Sequence, residues 1–188
     1  MVVSEIPYEQ AKREFERKAP LLEFNEMKDI LVTEIIDEKL LERTRDVWLH
    51  GSFVQPDAEI DTGDKLSDMD AFIVVPSWEL PVANTGIAWA APQAPRLESL
   101  DHLGDHFVWN ELPAEDEGWN CSAGEAWEQL PDCAKTTLLN STQRFLFANE
   151  NDHEARRARN YDIMIGSVSQ FDHQKKKCPK TKIWERSD

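Results

Sequence analysis

Length and composition limit the kinds of protein that this chain can be. Its 188 residues suit one domain with short appendages. Hydrophobic residues form 40% of the sequence and include seven Trp, so a core can form and global disorder is excluded. No apolar run approaches the roughly 20 residues of a membrane span, and a membrane partner is therefore not expected.

The charge and the cysteines exclude further classes. The 36 acidic residues outnumber the 21 basic ones, which gives a formal net charge of −15. Because nucleic acid is usually bound by a basic surface that displaces counterions from phosphates, generic DNA binding is not expected. The three cysteines are irregularly spaced and favour thiols in a reducing compartment. No secretory signal is visible after Met1, so we expect a cytoplasmic protein.

Two helices are predicted at the start of the chain. Pro7 opens residues 7–19, where apolar side chains recur at helical spacing. Asn25 is a good helix cap for residues 25–43, which carry a broad apolar stripe. We expect the second of these helices to pack beneath a β-sheet.

Two strands separated by a loop are predicted next. Val47–His50 forms the first strand and ends at Gly51. Residues 52–67 are rich in Asp, Gly and Pro, which indicates a long loop. Ala71–Val75 is a short, continuous apolar run stopped by Pro76, and this pattern is typical of a buried strand.

The second half of the chain is less regular. Its first part shows no stable period, and we expect loops there with a helix over 96–103 and a strand over 107–109. Two further strands are predicted over 143–148 and 159–165. The polar residues 149–153 between them predict a hairpin turn.

The Gly51–Ser52 turn and the pair of Asp68 and Asp70 carry the candidate chemistry. Alternation along a strand places both carboxylates on one side and Met69 in the core. Two carboxylates about 7 Å apart along a strand can share a hard cation such as Mg²⁺. A Gly-Ser turn can approach a polyphosphate with backbone N–H groups and a hydroxyl. The alternative is that the two Asp residues only solvate the end of a strand. An Asp-x-Asp pair without the Gly-Ser turn would favour this alternative, because the chain is so acidic.

This combination of a Gly-Ser turn with an Asp-x-Asp pair entering a strand resembles the nucleotidyltransferase fold superfamily, which includes polymerase beta. The loop ending at Ser67 and the segment Leu100–Asp105 look most similar to the aminoglycoside 6-adenylyltransferase branch. The resemblance covers residues 45–165, and the large C-terminal helical domain of that branch does not follow. It implies an α/β or α+β fold with a small mixed sheet flanked by helices, and Gly51, Ser52 and Ser67 at the nucleotide.

The resemblance also implies a third carboxylate on a neighbouring strand. Asp162 matches this pattern because apolar strand residues, Ile163–Ile165, follow it directly. Asp105 is the rival at a shorter spacing, and we prefer Asp162. The expected catalytic and metal-binding residues are therefore Asp68, Asp70 and Asp162.

The function implied by the resemblance is metal-dependent transfer of a nucleoside monophosphate. The donor is a nucleoside triphosphate, expected to be ATP, with Mg²⁺ as cofactor and an unidentified hydroxyl as acceptor. The alternative is a minimal or inactive member of the fold that acts as an interaction module, such as one half of a toxin–antitoxin pair with a helical protein partner.

Three regions are expected along the chain. Residues 1–45 form N-terminal helices on the sheet, and residues 46–167 form the nucleotidyltransferase core. Residues 168–188, with Lys175–Lys177 and Lys180, are expected to form a basic tail that is solvated rather than bound to phosphate.

Overall fold

Six β-strands with helices around them make up the part of the chain that this computed structural model describes. It describes residues 5–19, 23–59, 69–76, 86–90, 107–111, 130–150, 161–168, 171–172 and 179–187. The helices are α1 (Tyr8–Lys18), α2 (Phe24–Ile30), continued by a π-helical turn (Leu31–Ile35), α3 (Glu38–Leu41) and α4 (Asp132–Glu150). The strands are β1 (Asp46–His50), β2 (Met69–Val74), β3 (Gly86–Ala90), β4 (Phe107–Glu111), β5 (Tyr161–Gly166) and β6 (Lys180–Glu185).

The strands form one mixed sheet in the order β4-β3-β5-β2-β1-β6. Strands β2 and β5 are parallel, and the other neighbouring pairs are antiparallel. The predicted α/β class with a mixed sheet flanked by helices is confirmed at this level. Among the described helices, none is long and apolar enough to cross a membrane.

One face of the sheet, here called the helix face, holds the main core. Its side chains alternate along the three central strands and are Val47, Leu49, Met69, Ala71, Ile73, Tyr161, Ile163 and Ile165. They share one buried cluster with Phe15 of α1, Phe24 of α2 and Leu138 of α4. Burying large apolar side chains contributes about 1.5–3 kcal/mol each, so this cluster is the main source of stability.

The opposite face, here called the far face, carries a smaller cluster. Trp48, Phe72 and Val74 from β1 and β2 pack there with Phe171. The Phe171 ring lies 4.9 Å from the ring of Trp48 and 5.4 Å from that of Phe72. This cluster covers the middle of the sheet and leaves the strand ends near His50 and Asp70 outside it.

The helix predicted over 7–19 is confirmed as α1, and its packing explains why it forms. Ala11 and Phe15, four residues apart, are both fully buried. The Phe15 ring lies 5.4 Å from the ring of Phe24 and 5.8 Å from that of Phe53. Helix α1 therefore packs both against α2 and against the turn that follows β1.

The single helix predicted over 25–43 is divided. Ile36 has an extended backbone, and the side chain of Asp37 accepts a hydrogen bond from Lys39 N at 3.0 Å. Asp37 N donates to Thr137 Oγ1 of α4 at 2.9 Å. An Asp cap that starts a new helix, together with this tertiary contact, outweighs the continuous apolar stripe.

The strand predicted over 143–148 is wrong, because these residues lie in helix α4. The hairpin turn predicted over 149–153 is wrong as well, since residues 149 and 150 end the same helix, while 151–153 lie outside the described residues. Cys133, Ala134 and Leu138 are buried at helical spacing. Once these turns are anchored, each further helical residue adds one hydrogen bond. This gain is larger than the preference of a short alternating apolar segment for a strand.

The prediction of a solvated tail over 168–188 is wrong for residues 180–185. These residues form β6, which pairs with β1 from His50 to Asp46, with one irregularity in register between Val47 and Trp48. Lys180 and Thr181 are 2% and 1% exposed. Ile6 N donates to Lys180 O at 2.8 Å, which ties the segment before α1 to the same strand. A polar strand fits here because it covers the edge of β1 that would otherwise carry unpaired backbone groups.

Deleting residues 179–188 tests this correction. We expect the melting temperature to fall by roughly 10 °C or more, or cooperative unfolding to be lost. The deletion exposes the edge of β1 and the apolar surface that buried Ile183 covers. The control is deletion of residues 187–188 alone. A melting temperature of the longer deletion equal to that of the control would contradict the role of β6.

Candidate functional site

The candidate site lies where β1 ends and where β2 and β5 begin. Because β1 is antiparallel to β2, and β2 is parallel to β5, these three strand ends meet at one edge of the sheet. His50 pairs with Asp70, and Asp70 pairs with Asp162. Three residues that are far apart in sequence therefore stand side by side.

Their side chains point to the far face. Alternation fixes this direction, because Leu49, Met69 and Tyr161 belong to the helix-face core. Adjacent strands are about 4.8 Å apart, so the Asp70 and Asp162 side chains start from neighbouring positions. Both residues are half-buried, and neither lacks an interaction partner in the structure. The predicted burial of Met69, at 1% exposed, is confirmed.

Gly51 is fitted around the carboxylate of Asp70. Its φ is +79°, in the left-handed region that favours glycine. A Cβ atom at residue 51 would lie 1.8 Å from Asp70 Oδ2 and 2.9 Å from Asp70 Cγ. The carboxylate thus occupies the space of a side chain at residue 51. The turn after β1 and the acid on β2 form one unit.

The turn after Gly51 is held from two sides. Phe53 and Val54 are fully buried in the helix-face core. The ammonium group of Lys18, at the end of α1, donates to Ser52 O at 2.6 Å and also to Gln55 O. Burial lowers the pKa of Lys18, and the nearby charge of Glu14 acts against this shift. These contacts fix the backbone of Ser52, the residue that follows Gly51.

The start of β5 is also anchored. Tyr161 Oη donates to Met27 O at 2.9 Å, and Ser141 Oγ donates to Tyr161 O. The residue before Asp162 is therefore hydrogen-bonded to α2 and to α4. This fixes the position at which Asp162 leaves the core.

His50 is part of the same edge, and sequence reasoning missed it. Burial lowers its pKa to about 4, and the positive charge of Lys180 acts in the same direction. The imidazole is therefore neutral at pH 7. The signal in the sequence was its position as the last residue of β1, directly before Gly51.

The predicted site residues divide into two groups. Gly51, Ser52, Asp70 and Asp162 lie together at this edge. Ser67, Asp68 and Asp105 lie outside the described residues. Strand β4, which begins at Phe107, is separated from β2 by two strands, whereas the strand of Asp162 is next to β2.

The donor set suits a hard divalent cation. Carboxylate oxygens are the ligands that Mg²⁺ prefers. Asp70 and Asp162 could supply two of them from neighbouring strands, and Asp68 stands two residues before Asp70 in the chain. Within the described ranges, no group of three His, Cys, Asp or Glu residues could hold a metal ion. The two described carboxylates fit such an ion as part of a larger set.

Comparison with known proteins adds no family to this geometry. No protein-family model matches the chain, and the searches of curated proteins and of solved structures find no similar protein. Function is therefore inferred from the residues of the site and the fold around them.

The contact between Gly51 and Asp70 predicts strong coupling between the two positions. Gly51→Ala should cost about 2 kcal/mol or more of unfolding free energy, because it adds backbone strain and displaces the carboxylate. In the Asp70→Ala background, the nearest atom left is Asp70 Cβ at 3.3 Å. The cost should then fall to about 1 kcal/mol of strain.

Urea unfolding of the two single variants and the double variant measures this coupling. Ser52→Ala is the control and should change stability by less than about 0.5 kcal/mol. Equal costs of Gly51→Ala in both backgrounds would show that the Asp70 carboxylate does not fill this space.

The lowered pKa of His50 predicts a pH dependence of stability. The unfolded chain takes up a proton below about pH 6.5, whereas the folded chain takes it up only near pH 4. Stability is therefore lost as the pH falls from 6.5 towards 4, by up to about 3 kcal/mol. Urea unfolding between pH 7.5 and 4.5, in buffer with chelator, should show a smaller loss for His50→Gln. Equal losses in both proteins would contradict a neutral His50.

Proposed function

We propose that the chain is a metal-dependent nucleotidyltransferase that moves a nucleoside monophosphate from a nucleoside triphosphate to a hydroxyl acceptor. ATP is the expected donor. The observation that carries this proposal is the edge at which Asp70 and Asp162 stand next to each other on one face, with the Gly51 turn packed against Asp70. The Gly-Ser and Asp-x-Asp resemblance, which includes two of these residues, also supports it.

In this proposal the carboxylates hold the cation and the turn holds the phosphates. Asp70 and Asp162, with Asp68, bind Mg²⁺. When bound, the cation would neutralise phosphate charge and favour in-line displacement. The Gly51 turn brings backbone N–H groups and the Ser52 hydroxyl close to this position. Ser67, directly before Asp68 in the chain, is proposed as a further nucleotide-binding residue.

Asp162 acts on the acceptor. It orients the hydroxyl and takes its proton as the hydroxyl oxygen bonds to the α-phosphorus. The bond from that phosphorus to the bridging oxygen breaks at the same time, and pyrophosphate leaves with the electron pair. Positioning and charge neutralisation supply most of the rate in this class of reaction.

Changing each acid to Asn tests these roles. Asp68→Asn and Asp70→Asn should lower transfer by a factor of roughly 100 or more, because the swap keeps the shape and removes the charge that holds the cation. Asp162→Asn should abolish transfer while retaining part of the nucleotide affinity. Asp29→Asn, an exposed acid on α2, is the matched control and should keep full activity. Asp105→Asn should behave like this control.

The assay is incubation with labelled ATP, Mg²⁺ and a cell lysate as the source of acceptor. Melting temperatures of each variant, with and without Mg²⁺, exclude unfolding as the cause of lost transfer. Full activity of Asp68→Asn or Asp70→Asn would overturn the proposal. An inactive Asp105→Asn beside an active Asp162→Asn would overturn only the assignment of the third carboxylate.

Nucleotide binding separates this proposal from an inactive interaction module. A ligand at 100 times its Kd stabilises the folded protein by about 2.7 kcal/mol. We expect ATP with Mg²⁺ to raise the melting temperature of the wild type and not that of Asp70→Asn. No shift with either ATP or GTP would favour the interaction module.

A further inference from the structure

Strand β6 brings a buried lysine to the edge that carries the two carboxylates. Lys180 pairs with His50, which pairs with Asp70, which pairs with Asp162. Four residues from four neighbouring strands thus form one row. The outer strand contributes a positive charge to a row that ends in two acids.

The side chain of Lys180 lies on the same face as these acids. Its ammonium nitrogen is 4.9 Å from the ring centroid of Phe171, which belongs to the far-face cluster. His50 separates it from Asp70 in the row. The ammonium group therefore lies on the face of the sheet that carries the carboxylates.

Burial makes this lysine unusual. Only 2% of Lys180 is exposed, and removing an ammonium group from water is costly unless an opposite charge compensates it. Two acids on neighbouring strands also destabilise the folded state, because like charges that are close together repel each other. A cation in the same row lowers both costs.

We propose that Lys180 is a positioning residue that acts as the internal counter-ion of Asp70 and Asp162. It holds both acids in place when no divalent cation is bound. Its positive charge also weakens the binding of that cation. The effect on metal affinity rests on the proposed function, whereas the charge pairing does not.

Lys182 provides a matched control on the same strand. Its ammonium nitrogen lies 5.3 Å from the ring centroid of Trp48, so it shares the far face with Lys180. It pairs with Asp46 at 3.7 Å and with Glu185 at 3.1 Å. It stands about 7 Å further along the strand, away from the carboxylates.

The first measurement is the affinity of the full chain for Mn²⁺ alone, and electron paramagnetic resonance is used to detect the bound ion. Lys180→Met should tighten Mn²⁺ binding roughly threefold to tenfold, because a repelling charge is removed. Lys180→Arg should restore the wild-type affinity, and Lys182→Met should leave it unchanged. A merely structural lysine would not tighten metal binding. Unchanged Mn²⁺ affinity in folded Lys180→Met would overturn the proposal.

The second measurement is a stability cycle in chelator, and it needs no metal. Lys180→Met should destabilise the chain, and adding Asp70→Asn should recover at least about a tenfold factor in the unfolding equilibrium constant. Lys182→Met with Asp70→Asn should be additive to within about twofold. If Lys180→Met does not fold, the double variant should fold, and its failure to do so would overturn the proposal.

The two arms distinguish the proposals. Absence of Mn²⁺ binding by the wild type, together with strong coupling in chelator, would overturn the proposed function and support the counter-ion. Binding of Mn²⁺ that is lost in Asp70→Asn, without coupling to Lys180, would support the proposed function and overturn the counter-ion.

Discussion

The carboxylate of Asp70 occupies the space that a side chain at residue 51 would fill, and the rest of the candidate site depends on this contact. It requires glycine directly after β1 and joins the turn at that position to the start of β2. Lys18 and the buried Phe53 then fix the turn against α1 and the core. The turn that contains Ser52 is therefore supported from several directions. A loop held only by its own backbone would not provide this.

Strand order converts this local contact into a site. Asp162 reaches Asp70 because β5 is parallel to β2 and starts at the same edge. Antiparallel β6 brings Lys180 to that edge from the other side. The edge therefore combines a rigid backbone turn, two neighbouring acids and a buried cation. Such an arrangement is costly unless its charges are compensated, and costly charge clusters are more typical of functional sites than of structural ones.

Much of this edge was predictable from sequence, and the remainder depended on pairing between distant strands. Alternation along β2 predicted that Met69 enters the core and Asp70 leaves it. An acid followed by apolar residues identified Asp162 as a candidate, but only the register places it next to Asp70. Lys180 could not be predicted, because lysines at alternate positions are typical of a solvated strand or tail. The strand predicted over 143–148 failed because a short apolar alternation fits either structure, and helix α4 was already anchored upstream.

The most direct test of the account is the position of a bound cation. Crystals grown with Mn²⁺ and a non-hydrolysable ATP analogue would locate the metal by anomalous diffraction. The account predicts a peak at about 2.0–2.6 Å from carboxylate oxygens of both Asp70 and Asp162. A peak elsewhere, or none at saturating Mn²⁺, would contradict it.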